Sequence, residues 1–129
     1  MKANNKYTSF HAAIALAFAL ILATGTASST PGEATGQAIQ HLLGYVSESG
    51  MTFVRNASEY TSTEAAEHML KKYRHFRDDI ETPDDFIELC ATKSLLSGNP
   101  YRVIDSEGNV LHTSDWLRAE LATWQVRSP

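Results

Sequence analysis

Hydrophobic and polar residues alternate with the period of an α-helix over much of this chain. From Thr35 onward, apolar residues recur at steps of three and four, which predicts an amphipathic helix that ends at Gly50. The apolar face of this helix consists of Ala38, Ile39, Leu42, Leu43 and Val46.

Two further helices are predicted by their start signals. Thr61 with Glu64 forms a capping box, and Thr82 precedes a proline and two acids that suit a first helical turn. The second helix is predicted to bury one stripe: Ala66, Met69, Leu70, Tyr73, Phe76 and Ile80. The third is predicted to bury Phe86, Ile87, Leu89 and Cys90.

Short β-favouring runs separate these helices. Residues 52–55 with Glu59-Tyr60, and residues 101–104 with 109–112, each predict a hairpin. Ser114 is then predicted to cap a fourth helix with apolar residues Trp116, Leu117, Leu121 and Trp124. The pattern predicts a single α+β domain over residues 37–126, with about four helices packed around short strands and hairpins.

The N-terminus has the layout of a secretory signal peptide. Two lysines precede the apolar run Ala12–Ala23, and small residues follow it, which predicts cleavage between Ala27 and Ser28. Residues 1–27 are therefore predicted to be removed on export to the periplasm. The apolar run is too short for a stable membrane anchor. Residues 28–36, rich in Ser, Thr, Gly and Pro, are predicted to form a flexible leader.

The net charge of the predicted mature chain limits the partners to be expected. Cleavage leaves nine Lys and Arg against fifteen Asp and Glu, a formal charge of −6. An acidic chain is unsuited to nucleic acid and to anionic membrane surfaces, whereas a basic envelope protein would be attracted to it. Oligomeric state is left open by the sequence.

Tests for chemistry give no catalytic residue, no metal site and no cofactor. His68 and His75 with Glu64 and Asp79 are predicted to share one face, opposite the apolar stripe, at a spacing that could start a metal site. The neighbouring Lys71 and Lys72 instead favour a solvated charged face. Phosphate-binding glycine loops and a serine nucleophile elbow are missing. Cys90 cannot form an intramolecular disulfide and is predicted to be a small buried hydrophobe, with an intermolecular bridge as the alternative.

A series of spaced motifs resembles the YfeK-like family of small exported proteins of Gram-negative bacteria. The resemblance covers about residues 38 to 122. The motifs are Phe53-Val54-Arg55-Asn56, Glu59-Tyr60, Ala65-Ala66, His68-Met69, Lys72, Ile80-Glu81-Thr82, Phe86-Ile87 and Ser97-Gly98-Asn99-Pro100-Tyr101. It implies a signal peptide, one α+β domain and a periplasmic location, and it implies no activity.

The resemblance also supplies candidate binding residues. These are Phe53, Arg55, Asn56, His68, Lys72, Ser97, Gly98 and Tyr101. The chain departs from the family pattern at Ala57, where that pattern has glycine, and an alanine disfavours a left-handed tight turn after Asn56.

Three functional hypotheses follow. The favoured one is a protein-binding, inhibitor or adaptor module that docks onto a basic envelope protein. The alternatives are an envelope stress or structural homo-oligomer, and an enzyme whose site brings Lys93, Ser94 and Ser97 near a histidine.

Overall fold

Four α-helices and an antiparallel sheet of four short strands form this protein in the computed structural model, which describes residues 31–128. This confirms the predicted α+β class. The elements are α1 (Pro31–Glu48), β1 (Thr52–Arg55), β2 (Ser58–Tyr60), α2 (Ser62–His75), a 3-10 turn (Arg77–Asp79), α3 (Pro83–Ala91), β3 (Arg102–Ile104), β4 (Val110–His112) and α4 (Thr113–Arg127).

The sheet has the strand order β2-β1-β3-β4, so both predicted hairpins form and their first strands pair with each other. Phe53 lies opposite Tyr60 on β2 and opposite Val103 on β3. Because directly opposed residues share a face, these three side chains point toward the helices. Phe53 and Val103 are buried there, and this face positions the cavity described below.

The core is formed by the predicted apolar stripes of α1, α3 and α4. Fully buried side chains from each include Leu42, Phe86 and Leu117. Cys90 is also completely buried, which confirms its prediction as a small hydrophobe. No helix within residues 31–128 combines the length and hydropathy that a membrane crossing needs.

The helix starts agree with the capping signals in two of three cases. Thr61 with Glu64, and Thr82 with Asp85, form reciprocal capping boxes. The prediction for α4 was wrong by two residues: the N-cap is His112 and not Ser114, because β4 runs directly into the helix and the Thr113 amide donates to the Tyr101 carbonyl.

The start of α1 also differs from expectation. The helix begins at Pro31, inside the stretch 28–36 predicted as a flexible leader. Glu33 lies in its first turn, where the helix dipole favours an acid, and the Thr35 hydroxyl donates to the Glu81 carbonyl at 3.0 Å. The predicted signal peptide, residues 1–27, and its cleavage site lie outside the described residues.

The buried stripe of α2 is rotated from the predicted one. The helix ends at His75, and its buried residues are Ala65, Met69 and Lys72. A buried lysine is tolerated because its ammonium group finds partners inside the protein, as described below. The prediction that Lys72 belongs to a solvated charged face was wrong.

Candidate functional site

A cavity of about 200 Å³ opens between α2 and the β1–β2 hairpin. Its walls combine aromatic and aliphatic side chains with cationic and acidic groups, the mixture expected where a ligand has an apolar part and a charged part. The lining residues are Phe53, Val54, Arg55, Tyr60, Glu64, Ala65, Glu67, His68, Met69, Lys71 and Tyr101.

Arg55 places a guanidinium group in this cavity. β-strand alternation puts Arg55 on the same face as Phe53, and its guanidinium carbon lies 4.5 Å from the centre of the Tyr60 ring. Among residues 31–128 it forms no ion pair, whereas Arg118 on α4 pairs with both Asp84 and Glu88. Arg55 is therefore held by stacking, with its hydrogen-bond donors available to a ligand.

A chain of hydrogen bonds forms one wall of the cavity. The Lys72 ammonium group donates to the Lys93 carbonyl at 3.0 Å and lies 3.4 Å from the Tyr101 hydroxyl. The same hydroxyl lies 3.2 Å from Nε2 of His68. The Lys72 Nζ atom also lies 5.0 Å from the centre of the Tyr101 ring.

The lysine fixes one direction in this chain. A lysine ammonium has donors only, so the Tyr101 oxygen accepts from Lys72. Between Tyr101 and His68 the tautomer of the ring decides which group donates: Nε2 accepts the Tyr101 proton when the ring proton is on Nδ1, and it donates when the ring proton is on Nε2.

Burial and the surrounding cations together shift the pKa values of these groups. Loss of solvent, and then the charges of Arg55, Lys72 and Lys71, lower the pKa of His68 to about 4. Burial also lowers the pKa of Lys72 and raises that of Tyr101. A histidine whose protonation is opposed by three cations indicates a positive potential at this wall, in a chain whose formal net charge is −4.

A second network fixes the loops beside the cavity. The Asn56 side chain donates to the Ser94 hydroxyl at 3.1 Å and accepts from the Ser97 hydroxyl at 2.5 Å. Asn56 and Ala57 both have positive φ, 50° and 63°. The left-handed turn therefore forms despite Ala57, and the expectation drawn from the missing glycine was wrong.

The structure brings the eight candidate binding residues into one region. Four line the cavity, Lys72 lies behind Tyr101, and Asn56 bonds to Ser97, which precedes Gly98 in the adjoining loop. Their role in binding stays a prediction. Sequence reasoning missed Tyr60 and Lys71 as lining residues, although the hairpin pattern alone places Tyr60 on the face of Arg55.

The other candidate metal-binding and catalytic residues do not come together in one site. His68 turns into the cavity while His75 is exposed and contacts Phe76, so the expected shared face with Asp79 was wrong. Within residues 31–128 no group of three potential metal ligands occurs. Ser94 and Ser97 bond to Asn56 instead of a histidine, and Lys93 contributes its carbonyl to Lys72.

The fold and the cavity define a small α+β protein with a recess between a helix and a hairpin that is lined by both cationic and acidic side chains. The model of a family of unknown function, DUF5329, matches residues 33–125, and the chain belongs to that family. It is similar to an uncharacterized protein, YfeK, of Salmonella typhimurium strain LT2, with 37% identity over 51 residues.

The YfeK match covers 40% of this chain and 42% of the Salmonella protein, less than half of each. No solved structure matches the chain. These findings confirm the YfeK-like resemblance, and because family and relative are both uncharacterised, they assign no activity.

Proposed function

We propose that this protein is a binding module whose cavity between α2 and the β1–β2 hairpin holds an anionic group of its ligand. The observation that carries the proposal is the half-buried Arg55, which has no carboxylate partner among residues 31–128. Guanidinium groups bind carboxylates and phosphates with paired hydrogen bonds, and a partly dry site strengthens them.

Two neighbouring groups support the same ligand chemistry. Lys71 lines the cavity and adds a second positive charge. Nδ1 of His68 takes no part in the Tyr101–Lys72 chain, and it adds a donor in the tautomer that carries the ring proton there. Glu64 opposes an anion less than its position suggests, because its carboxylate accepts from the Thr61 amide at 2.8 Å. Glu67 is exposed, where solvent screens its charge.

The cavity is better suited to binding than to nucleophilic catalysis. Its lining contains no serine, threonine or cysteine side chain, and the one thiol of the chain, Cys90, is buried elsewhere in the core. The binding groups are held by the hydrogen bonds already described, so little ordering is needed when a ligand enters.

We also propose a location and a partner for this protein. The N-terminal pattern supports export to the periplasm, and the acidity of the chain supports a basic envelope protein as partner. A cavity that holds an anion and a surface that attracts a basic protein are compatible, since a protein of net positive charge still carries carboxylates.

Titration of the ¹⁵N-labelled protein with benzoate, acetate and inorganic phosphate tests the cavity. We expect benzoate to shift the amide resonances of β1, β2 and α2, and Arg55→Gln to weaken this binding by about tenfold, because one charge-assisted contact is lost. Arg102→Gln is the matched control, since Arg102 is exposed and opposes Val54 on the other face of the sheet. Absence of any shift, or equal affinity in Arg55→Gln, would refute the proposal.

A further inference from the structure

The free edge of β2 lies beside the cavity. Within the described residues β2 pairs only with β1, and the register joins Arg55 to Ser58, Val54 to Glu59 and Phe53 to Tyr60. A two-residue hairpin turn is closed by a hydrogen-bonded pair, here Arg55 and Ser58, and such pairs alternate along an antiparallel ladder. The backbone N–H and C=O of Glu59 therefore point outward, to the edge.

The faces of this edge are distinct. Ser58 and Tyr60 oppose Arg55 and Phe53, so their side chains lie on the cavity face. The exposed Glu59 side chain lies on the opposite face. An extended chain that pairs with Glu59 would therefore place the residue opposite Glu59 on the outer face and that residue's neighbours on the cavity face.

We infer that the cavity and the β2 edge together bind the C-terminus of an extended peptide, which adds an antiparallel strand to β2 and places its terminal carboxylate at Arg55. The inference rests on the proposed function and names its ligand. Strand addition of this kind takes its affinity from main-chain hydrogen bonds and its specificity from side-chain pockets.

The walls favour a peptide end over a small inorganic anion. Phe53, Ala65 and Met69 give the cavity an apolar part that phosphate would leave unfilled, whereas an aliphatic terminal side chain would fill it. A terminal carboxylate then lies within the positive potential of Arg55 and Lys71. The apolar part of the cavity matches the side chain of one C-terminal residue, and the cationic part matches its carboxylate.

The charge of Glu59 also favours one type of penultimate residue in the peptide. When the residue opposite Glu59 is the penultimate one, it lies on the outer face beside that carboxylate, where an opposite charge stabilises a cross-strand pair. A second hollow, of about 330 Å³, is lined by Glu59. We therefore expect a basic penultimate residue followed by an aliphatic C-terminal residue.

The first experiment measures the affinity of the purified protein for a short acetylated peptide ending in Lys-Leu, by calorimetry, as the free acid and as the C-terminal amide. We expect the free acid to bind at least about tenfold tighter, because amidation removes the charge that Arg55 recognises. Arg55→Gln should abolish this preference, and Arg102→Gln should keep it.

The second experiment modifies only the peptide, so folding of the protein is not at risk. N-methylation of the penultimate lysine removes the N–H that would donate to the Glu59 carbonyl, and we expect about tenfold weaker binding. N-methylation of the terminal leucine is the matched control, because that N–H points away from β2. Equal losses, or no loss, at the two positions would overturn the strand pairing.

The outcomes separate this inference from the proposed function. If benzoate binds in the cavity but the acid and amide peptides bind equally, the peptide inference is wrong and the anion site stands. If neither benzoate nor any peptide binds, both fail. Preference for the free acid, lost in Arg55→Gln and on N-methylation of the penultimate residue alone, supports both.

Discussion

The Tyr101 hydroxyl lies 3.2 Å from Nε2 of His68 and joins this ring to a buried lysine. Tyr101 precedes β3 and His68 is in the middle of α2, so the bond connects the sheet to the helix across one wall of the cavity. Both residues belong to the motifs that carry the family resemblance. A single hydroxyl thus links the sheet, the helix and a buried lysine at the wall of the cavity.

Removal of that hydroxyl should destabilise the protein. Tyr101→Phe keeps the ring but leaves His68 Nε2 without this hydrogen-bond partner and Lys72 with only the Lys93 carbonyl. We expect a loss of about 1–3 kcal/mol in the free energy of unfolding, because buried polar groups lose their partner. Urea denaturation measures it.

Tyr60→Phe is the control for this prediction. The Tyr60 ring lines the same cavity, but its hydroxyl has no hydrogen-bond partner among residues 31–128. The change should stay within about 0.5 kcal/mol, the usual range for a peripheral substitution. Equal losses in the two variants would contradict the role given to the Tyr101 hydroxyl.

Acid should weaken the fold through His68. Its pKa is about 4 in the folded protein against an ordinary value of 6.5, so between these pH values the unfolded chain holds a proton that the folded protein excludes. Stability from this group is complete above pH 6.5 and falls as the pH drops to 4. After allowance for solvent screening at a half-buried ring, we expect a loss of about 1–2 kcal/mol.

The measurement is the free energy of unfolding of the protein and of His68→Gln at several pH values between 7 and 4. The difference between them isolates His68 from the carboxylates that titrate at the acid end, including Asp85 and Asp105, whose pKa values are lowered by hydrogen bonds. A difference that does not change with pH would contradict the low pKa of His68.

Glycine at the hairpin turn should stabilise the protein. Ala57 has φ of 63°, a conformation in which a Cβ atom is strained. Ala57→Gly relieves this strain, offset in part by the greater freedom of glycine in the unfolded chain, and we expect a gain of about 0.5–1 kcal/mol. Thermal denaturation should show a higher Tm.

Ala122→Gly is the control for the turn. Ala122 is exposed on α4, where glycine costs about 1 kcal/mol relative to alanine. The two substitutions are chemically identical and should shift the Tm in opposite directions. A lower Tm in Ala57→Gly would show that the turn does not hold Ala57 in the left-handed region.

The Cys90 thiol should be unreactive in the folded protein. It is completely buried, and burial raises its pKa to about 11, so both access and thiolate formation oppose alkylation. We expect iodoacetamide to label Cys90 only in denaturant. Rapid labelling under native conditions would contradict the burial of Cys90. A disulfide-linked dimer on a non-reducing gel would favour the homo-oligomer hypothesis.

The local pattern of the sequence determined the elements of this fold. Capping boxes at Thr61 and Thr82 and the apolar stripe of α1 depend on neighbours within a few residues, so they could be predicted from spacing alone. The two hairpins followed for the same reason. The start of α4 was misplaced, because a contact between the Thr113 amide and the distant Tyr101 carbonyl extends that helix.

The tertiary structure alone decided the site. Lys72 has the polarity of a surface residue, and it is buried because Lys93 and Tyr101, more than twenty residues away along the chain, supply its partners. The low pKa of His68, and the absence of a carboxylate partner for Arg55 among residues 31–128, likewise depend on which elements fold together. Periodicity records which face of a helix is apolar, but it carries no information about distant groups that can satisfy a buried charge.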